Sequence, residues 1–184
     1  MTVKVTSRSL KVGKAGMPPL FAREAWRRLI VNHAIRTVSN KMSEHKKYTI
    51  EERVRWGDVD AARIIFYGAY IRFFEFAETE LFRSVGLPYS VMFDELDVWL
   101  PRVHLECDFH HAAQLDDLLE VSAYVGKFGN RSMNLSFEVR RKGNELIIAH
   151  AHFVLAAVRR DTFETVAIPD ELRKRLAPYV KPAD

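Results

Sequence analysis

The chain has 184 residues, of which 48% are hydrophobic and 11% aromatic, enough for one domain with a real core. Its longest uncharged apolar run, Ile147 to Val158, has 12 residues and two histidines, against the roughly 20 a spanning helix needs, so no transmembrane helix is expected. The single cysteine, Cys107, excludes an intramolecular disulfide and any multi-cysteine metal site, and fits a reducing compartment such as the cytoplasm.

The formal charge of +4 is unevenly spread. Residues 1–41 carry nine Lys or Arg against the single acid Glu24, a net of +8, which leaves residues 42–184 at −4. The basic segment has neither a basic stripe nor interleaved stacking aromatics, so no nucleic-acid partner is expected. It is poor in acids, contains serines and has an amphipathic piece from Leu20 to Val38, which are features of an organelle-targeting peptide. The favoured reading of 1–41 is a basic extension, poorly ordered or partly helical, or upstream sequence before a start at Met42. The folded domain is then 42–184.

Within that domain Tyr48, Ile50, Val54 and Trp56 fall on one parity with charges between them, the pattern of a half-buried strand. Asp58 and Asp60 follow and lead into the apolar run Ile64, Ile65, Phe66 and Tyr67. Tyr70, Phe73, Phe74, Ala77, Leu81 and Val85 then recur at three- and four-residue steps, giving a long helix with an aromatic stripe, while Arg72, Glu75, Glu78 and Glu80 lie mostly off it. Gly86, suited to the left-handed position after a helix, and Pro88 end it.

Val103 to Phe109, Leu119 to Val125 and Met133 to Val139 each alternate, predicting three antiparallel strands. Lys142-Gly143-Asn144 marks a turn, and Leu146 to Val158 is apolar on both parities, as a central strand covered on both faces would be. A short strand is expected over Thr162 to Ala167, and a terminal helix through Leu176 with Pro169 in its first turn and Asp170 and Glu171 near its positive end. The fold class is α+β: one antiparallel sheet curved round one central helix.

Some residues invite chemistry that the rest of the chain does not complete. His110-His111 and His150-x-His152 lack a supporting carboxylate or cysteine cluster, so neither a metal nor a cofactor is expected. Cys107 shares parity with Val103, Leu105 and Phe109 and reads as core rather than nucleophile. There is no Gly-x-Ser-x-Gly elbow and no phosphate-binding glycine loop.

The stretch GDVDAARIIFYGAYIRFFEFAETELFRSVGLP, residues 57–88, resembles the signature of the 4-hydroxybenzoyl-CoA thioesterase-like family of acyl-CoA thioesterases, which have the hotdog fold. The resemblance covers roughly 48 to 170. It implies that Asp60, matching the second aspartate of the family's pair, is the catalytic carboxylate, and that the backbone N–H of Tyr67 polarises the thioester carbonyl at the helix start. It further implies that Arg131 and Ser132 lie near the CoA tail, and that the protein is a homodimer or homotetramer acting on acyl-CoA with sites shared between subunits. One position departs from the pattern: Arg63 stands where the family commonly has glycine, which puts the local turn in question.

The chemistry also follows from elementary requirements. Thioester hydrolysis needs an oxygen nucleophile and a place for the oxyanion. Asp60 could attack directly or act as general base on a water, and the unpaired N–H groups of a helix start at Tyr67 or Gly68 could hold the oxyanion. Gly68 would also leave room for a substrate to approach the backbone. Duller roles exist: Asp58 as a turn residue, Asp60 as a cap, the Tyr67 ring as core. The expected activity is hydrolysis of a medium-sized or aromatic acyl-CoA. The alternatives are a non-catalytic acyl-thioester binding or sensing protein, and a thioesterase acting on acyl carrier protein.

Overall fold

In the computed structural model, which describes residues 2–3, 45–144 and 146–182, a six-stranded sheet runs in the order β1-β4-β7-β6-β5-β2. The strands are β1 (Thr2–Val3), β2 (Tyr48–Arg53), β4 (Arg102–Phe109), β5 (Leu118–Phe128), β6 (Ser132–Arg141) and β7 (Ile147–Ala156). All neighbours pair antiparallel except β1, whose two residues run parallel to β4 at His104 and Leu105. A second, two-stranded sheet joins β3 (Val98–Trp99) to β8 (Val158–Arg159). Apart from Thr2 and Val3, the expected extension lies outside the described residues.

Helix α1 (Ala69–Ser84) lies on the sheet's inner face. Its predicted stripe is buried at Tyr70, Phe73, Phe74, Ala77 and Leu81, with Val85 packed partly buried behind them. The Phe74 ring centre sits 5.1 Å from Phe137 of β6 and 5.7 Å from Phe153 of β7, so the aromatic stripe meets the middle of the sheet. Leu119, Val121, Ala123 and Val125 of β5 and Met133, Leu135, Phe137 and Val139 of β6 all face this core. Gly86 takes the left-handed φ of 74° at the end of α1, as expected of glycine there.

Five expectations need correction. Strand β7 is covered on one face only: Ala149, Ala151, Phe153 and Leu155 are buried towards α1, but the opposite face carries the exposed His152. The first strand stops at Arg53: the Asp58 carboxylate accepts from the Arg55 N–H at 2.8 Å and turns the chain into a short 3-10 segment, Trp56–Asp58, leaving Trp56 81% exposed rather than buried. Glu78 is not off the stripe but fully buried, because helix α2 (Tyr89–Leu96) and the start of β4 close over it. No strand forms over 162–167; Phe163 adopts a φ of 58° and the Arg159 N–H reaches back to the Glu164 carbonyl, so the segment turns and makes a single bridge, Val158 to Thr165. Pro169 precedes helix α3 (Asp170–Leu176) rather than sitting within it. Among the described residues no helix is long and apolar enough to cross a membrane.

Candidate active site

The two aspartates that look alike in sequence are treated in opposite ways. Asp58 is 1% exposed. One of its carboxylate oxygens accepts from the Arg55 N–H, the other is ion-paired with Arg72 on α1, and its carbonyl accepts from the Phe66 N–H at 2.8 Å. It therefore ties the strand exit, the chain before α1 and the helix itself into one unit. Asp58→Ala should lower stability by about 2–4 kcal/mol, since it removes a cap and a charge-assisted bond together. Asp58→Asn, which keeps an acceptor for Arg55, should cost less. Denaturant unfolding would read both, and an unchanged midpoint for the alanine variant would remove Asp58 from this role.

Asp60 is exposed and stands at the tip of a short hairpin. Val59 pairs with Ile65, the Asp60 N–H donates to the Ile64 carbonyl at 3.0 Å, and the Arg63 N–H returns to the Asp60 carbonyl at 2.9 Å. This is a three-residue connection whose last residue must be left-handed, and Arg63 has a φ of 62°. The turn that the absent glycine put in question is thus kept, with arginine in the conformation glycine would adopt without strain. The hairpin is fixed to the body by the Ile65 N–H, which donates to the Ala113 carbonyl at 2.9 Å, and by a bridge from Ile64 to Gln114.

Within this frame the Asp60 carboxylate has one oxygen held and one open. Oδ1 accepts from the Ala62 N–H at 2.8 Å, while Oδ2 has no hydrogen-bond partner among the described residues. Asp60 lines a cleft of about 630 Å³ together with Trp56, Val59, Ala61, Arg63 and Leu115. Seven residues further on, Tyr67 stands at the hairpin's return with its ring 67% exposed, not in the core as the sequence suggested, and Gly68 caps α1. The Ala69 N–H is taken up by the Phe66 carbonyl at 2.9 Å, whereas the N–H groups of Tyr67 and Gly68 have no acceptor among the described residues. Two donors at the positive end of a sixteen-residue helix are therefore open.

A Cβ placed at Gly68 would lie 2.8 and 2.9 Å from two atoms of the Phe66 ring and closer to a third, so the glycine makes room for that ring. Ser132 opens β6 and Arg131 precedes it, at the far end of β5 from the cleft. The eleven residues of β5 separate them from the Gln114–Leu115 side of the cleft by roughly 33 Å at strand rise, so the fold of the single chain does not bring them to Asp60. Arg131 instead lies 3.4 Å from the Thr165 hydroxyl.

The other reactive side chains have separate fates. Burial pushes the Cys107 thiol up to about 12, with the neighbouring Asp108 adding to it, so at neutral pH it is a protonated core residue. His110 Nε2 lies 3.3 Å from His150 Nδ1, and His152 Nδ1 lies 2.9 Å from the Ser136 hydroxyl, on the sheet face away from α1. Among the described residues no three His, Cys, Asp or Glu side chains converge as a metal would require. The site feature the sequence hid is Trp56: its parity placed it in the core, and its position two residues before Asp58 was the only hint that the turn would expose it beside the cleft.

Comparison with known proteins identifies the family and the fold. Residues 54–176 match the family model described as the thioesterase-like superfamily. The acyl-CoA thioesterase YbgC of Haemophilus influenzae is 29% identical over 126 residues, covering 68% of this chain and 91% of that protein. A 1,4-dihydroxy-2-naphthoyl-CoA hydrolase of Prochlorococcus marinus is 24% identical over 138 residues, covering 72% and 91%. Among solved structures, a 1,4-dihydroxy-2-naphthoyl-CoA thioesterase from Synechocystis superposes with a TM-score of 0.66 at 18% identity, over 72% of this chain and 96% of that one, which is a likeness of hotdog fold.

Proposed function

The chain belongs to the thioesterase-like superfamily and is a thioester hydrolase, and from that premise we propose that it cleaves aromatic or medium-sized acyl-CoAs with Asp60 as the reacting carboxylate. The observation that carries this reading is the Asp60 carboxylate itself, pinned by Oδ1 and open at Oδ2 in the cleft, with the Tyr67 and Gly68 N–H groups left open seven and eight residues on at the start of α1. Oδ2 either attacks the thioester carbon, expelling the CoA thiolate and leaving a mixed anhydride that water opens, or takes a proton from a water that attacks in its place. In both routes the carbonyl oxygen gains negative charge as the tetrahedral species forms. The Tyr67 and Gly68 N–H groups supply donors for it, and one such donor is worth about a hundred- to a thousandfold in rate in other enzymes.

The aromatic preference is supported by the names of two relatives that act on 1,4-dihydroxy-2-naphthoyl-CoA and by Trp56, a large exposed ring lining the cleft. The site is completed in a homodimer or homotetramer. Trp56, Tyr67, Val103, Phe109 and Leu115 are exposed apolar side chains round the hairpin and the β4 edge, and Arg131 with Ser132 reaches a CoA tail only from a second subunit.

A panel of benzoyl-, 4-hydroxybenzoyl-, phenylacetyl-, hexanoyl- and palmitoyl-CoA, with an acyl carrier protein thioester alongside, tests the reading by release of free thiol. Turnover of the aromatic and six-carbon thioesters is expected to exceed that of palmitoyl-CoA. No release above the buffer rate from any CoA thioester would overturn it, in favour of a binding protein or a carrier-protein thioesterase.

A further inference from the structure

Arg63 occupies a position where its side chain is a liability to folding. A left-handed backbone costs an ordinary residue about 1–2 kcal/mol that glycine does not incur, and Arg63 holds a φ of 62° at the end of the hairpin turn. Such strain persists where something else rewards it, and functional sites are where it collects. Nothing in the fold supplies the reward: the Arg63 side chain is exposed and makes no hydrogen bond or ion pair among the described residues. Other exposed arginines are employed, Arg55 on Glu52 at 3.4 Å and Arg83 on Glu80 at 3.1 Å. Arg63 instead lines the cleft with Asp60, three residues away across one tight turn, and is not ion-paired with it.

Resting on the thioesterase reading, we propose that Arg63 is a specificity-determining residue whose guanidinium donates to an oxygen substituent of the acyl group, a phenolic hydroxyl or a carboxylate. The turn fixes which part of the substrate it meets. The Cα atoms at the two ends of a tight turn lie within about 7 Å, so the guanidinium works near the reacting carbonyl. The phosphates of CoA are separated from that carbonyl by the whole pantetheine arm. A planar, five-donor cation suits a phenolate or carboxylate oxygen and has little to offer an unsubstituted hydrocarbon. Wild-type protein should therefore favour oxygen-bearing acyl groups over matched bare ones.

The test compares kcat/KM of the full chain on two matched pairs, 4-hydroxybenzoyl- against benzoyl-CoA and succinyl- against butanoyl-CoA, for wild type, Arg63→Gly and Arg63→Lys. Glycine keeps the hairpin, and an unchanged or raised melting temperature will show it. In the wild type at least one pair should favour the oxygen-bearing member, and Arg63→Gly should shrink that ratio by about ten- to a hundredfold, the range of one charge-assisted hydrogen bond, chiefly through KM. Arg63→Lys, which keeps the charge, should retain part of the preference. Hydrolysis with a ratio unchanged in Arg63→Gly overturns the role of Arg63 and leaves the thioesterase reading standing. No hydrolysis of any of the four by wild type overturns both.

Discussion

Asp60→Asn should reduce kcat/KM for the preferred acyl-CoA at least a hundredfold while leaving the melting temperature within a few degrees of wild type. The two halves of that expectation come from different atoms of one side chain. Oδ1 does the structural work, accepting the Ala62 N–H at 2.8 Å, and an asparagine amide oxygen accepts the same bond, so the hairpin tip is retained. Oδ2 is the open oxygen, the reacting atom of the proposed mechanism whether as nucleophile or as base, and an NH2 group in its place can serve as neither. A positioned general base contributes about a hundred- to ten-thousandfold, and a covalent route would lose still more. Thiol release and a thermal melt on the same preparation decide it, and near-normal turnover would remove Asp60 from the chemistry. The contrast with Asp58 sharpens the test, because there substitution should lower stability first: both of its oxygens are committed, one to a backbone N–H and one to Arg72.

That contrast also marks how far the sequence could be read. The spacing Asp-Val-Asp, the apolar run and the helix stripe identify the junction, and the stripe is buried where its three- and four-residue steps place it. Which aspartate faces water is set by the hairpin between Val59 and Ile65, and a hairpin of this length leaves almost no periodic signal. Trp56 misled through the same cause: alternation predicts burial only while the strand continues, and Asp58 ends it by capping Arg55. The central strand β7 was half legible: Ala149, Ala151, Phe153 and Leu155 are buried on the face towards α1, while the opposite face, apolar enough in sequence to read as covered, carries the exposed His152 and the partly buried His150 and Val154. Strand β4 carried the same alternation with less meaning, since its register shifts between Arg102 and His104 and leaves Val103 exposed, as Phe109 is at its other end. Helix α2 and the two-residue strands β3 and β8 are too short for periodicity to detect, and α2, with the start of β4, is what buries Glu78.

Glu78 is where that hidden packing has its largest energetic consequence, and Arg102→Met should destabilise the protein by about 3–5 kcal/mol, more than Glu78→Met. Glu78 is fully buried on the face of α1 towards β4 and α2. Its Oε1 accepts from Arg102 Nη2 at 2.6 Å and from the Tyr89 hydroxyl, which itself lies 3.1 Å from Arg102 Nη2, while Oε2 is buried with no partner among the described residues. Burial and the adjacent carboxylate push the Tyr89 hydroxyl far above its ordinary range, so it stays protonated and donates. The arginine is one-third exposed, and the two ions are therefore unequal in what they lose. Removing Arg102 strands a carboxylate that has no route to water and only a tyrosine to satisfy it. Removing Glu78 strands a guanidinium that can turn towards solvent, at a cost of about 1–2 kcal/mol for the lost bonds. For a domain of this size a loss of 3–5 kcal/mol lowers the melting temperature by about 10 °C or more, against a few degrees for the smaller one. The double substitution should fall close to Glu78→Met alone, because once the carboxylate is gone the arginine has nothing left to neutralise. Melting temperatures in which Glu78→Met is the costlier single change would reverse the assignment, making the carboxylate the member that holds α1 to β4 and the arginine its dispensable partner.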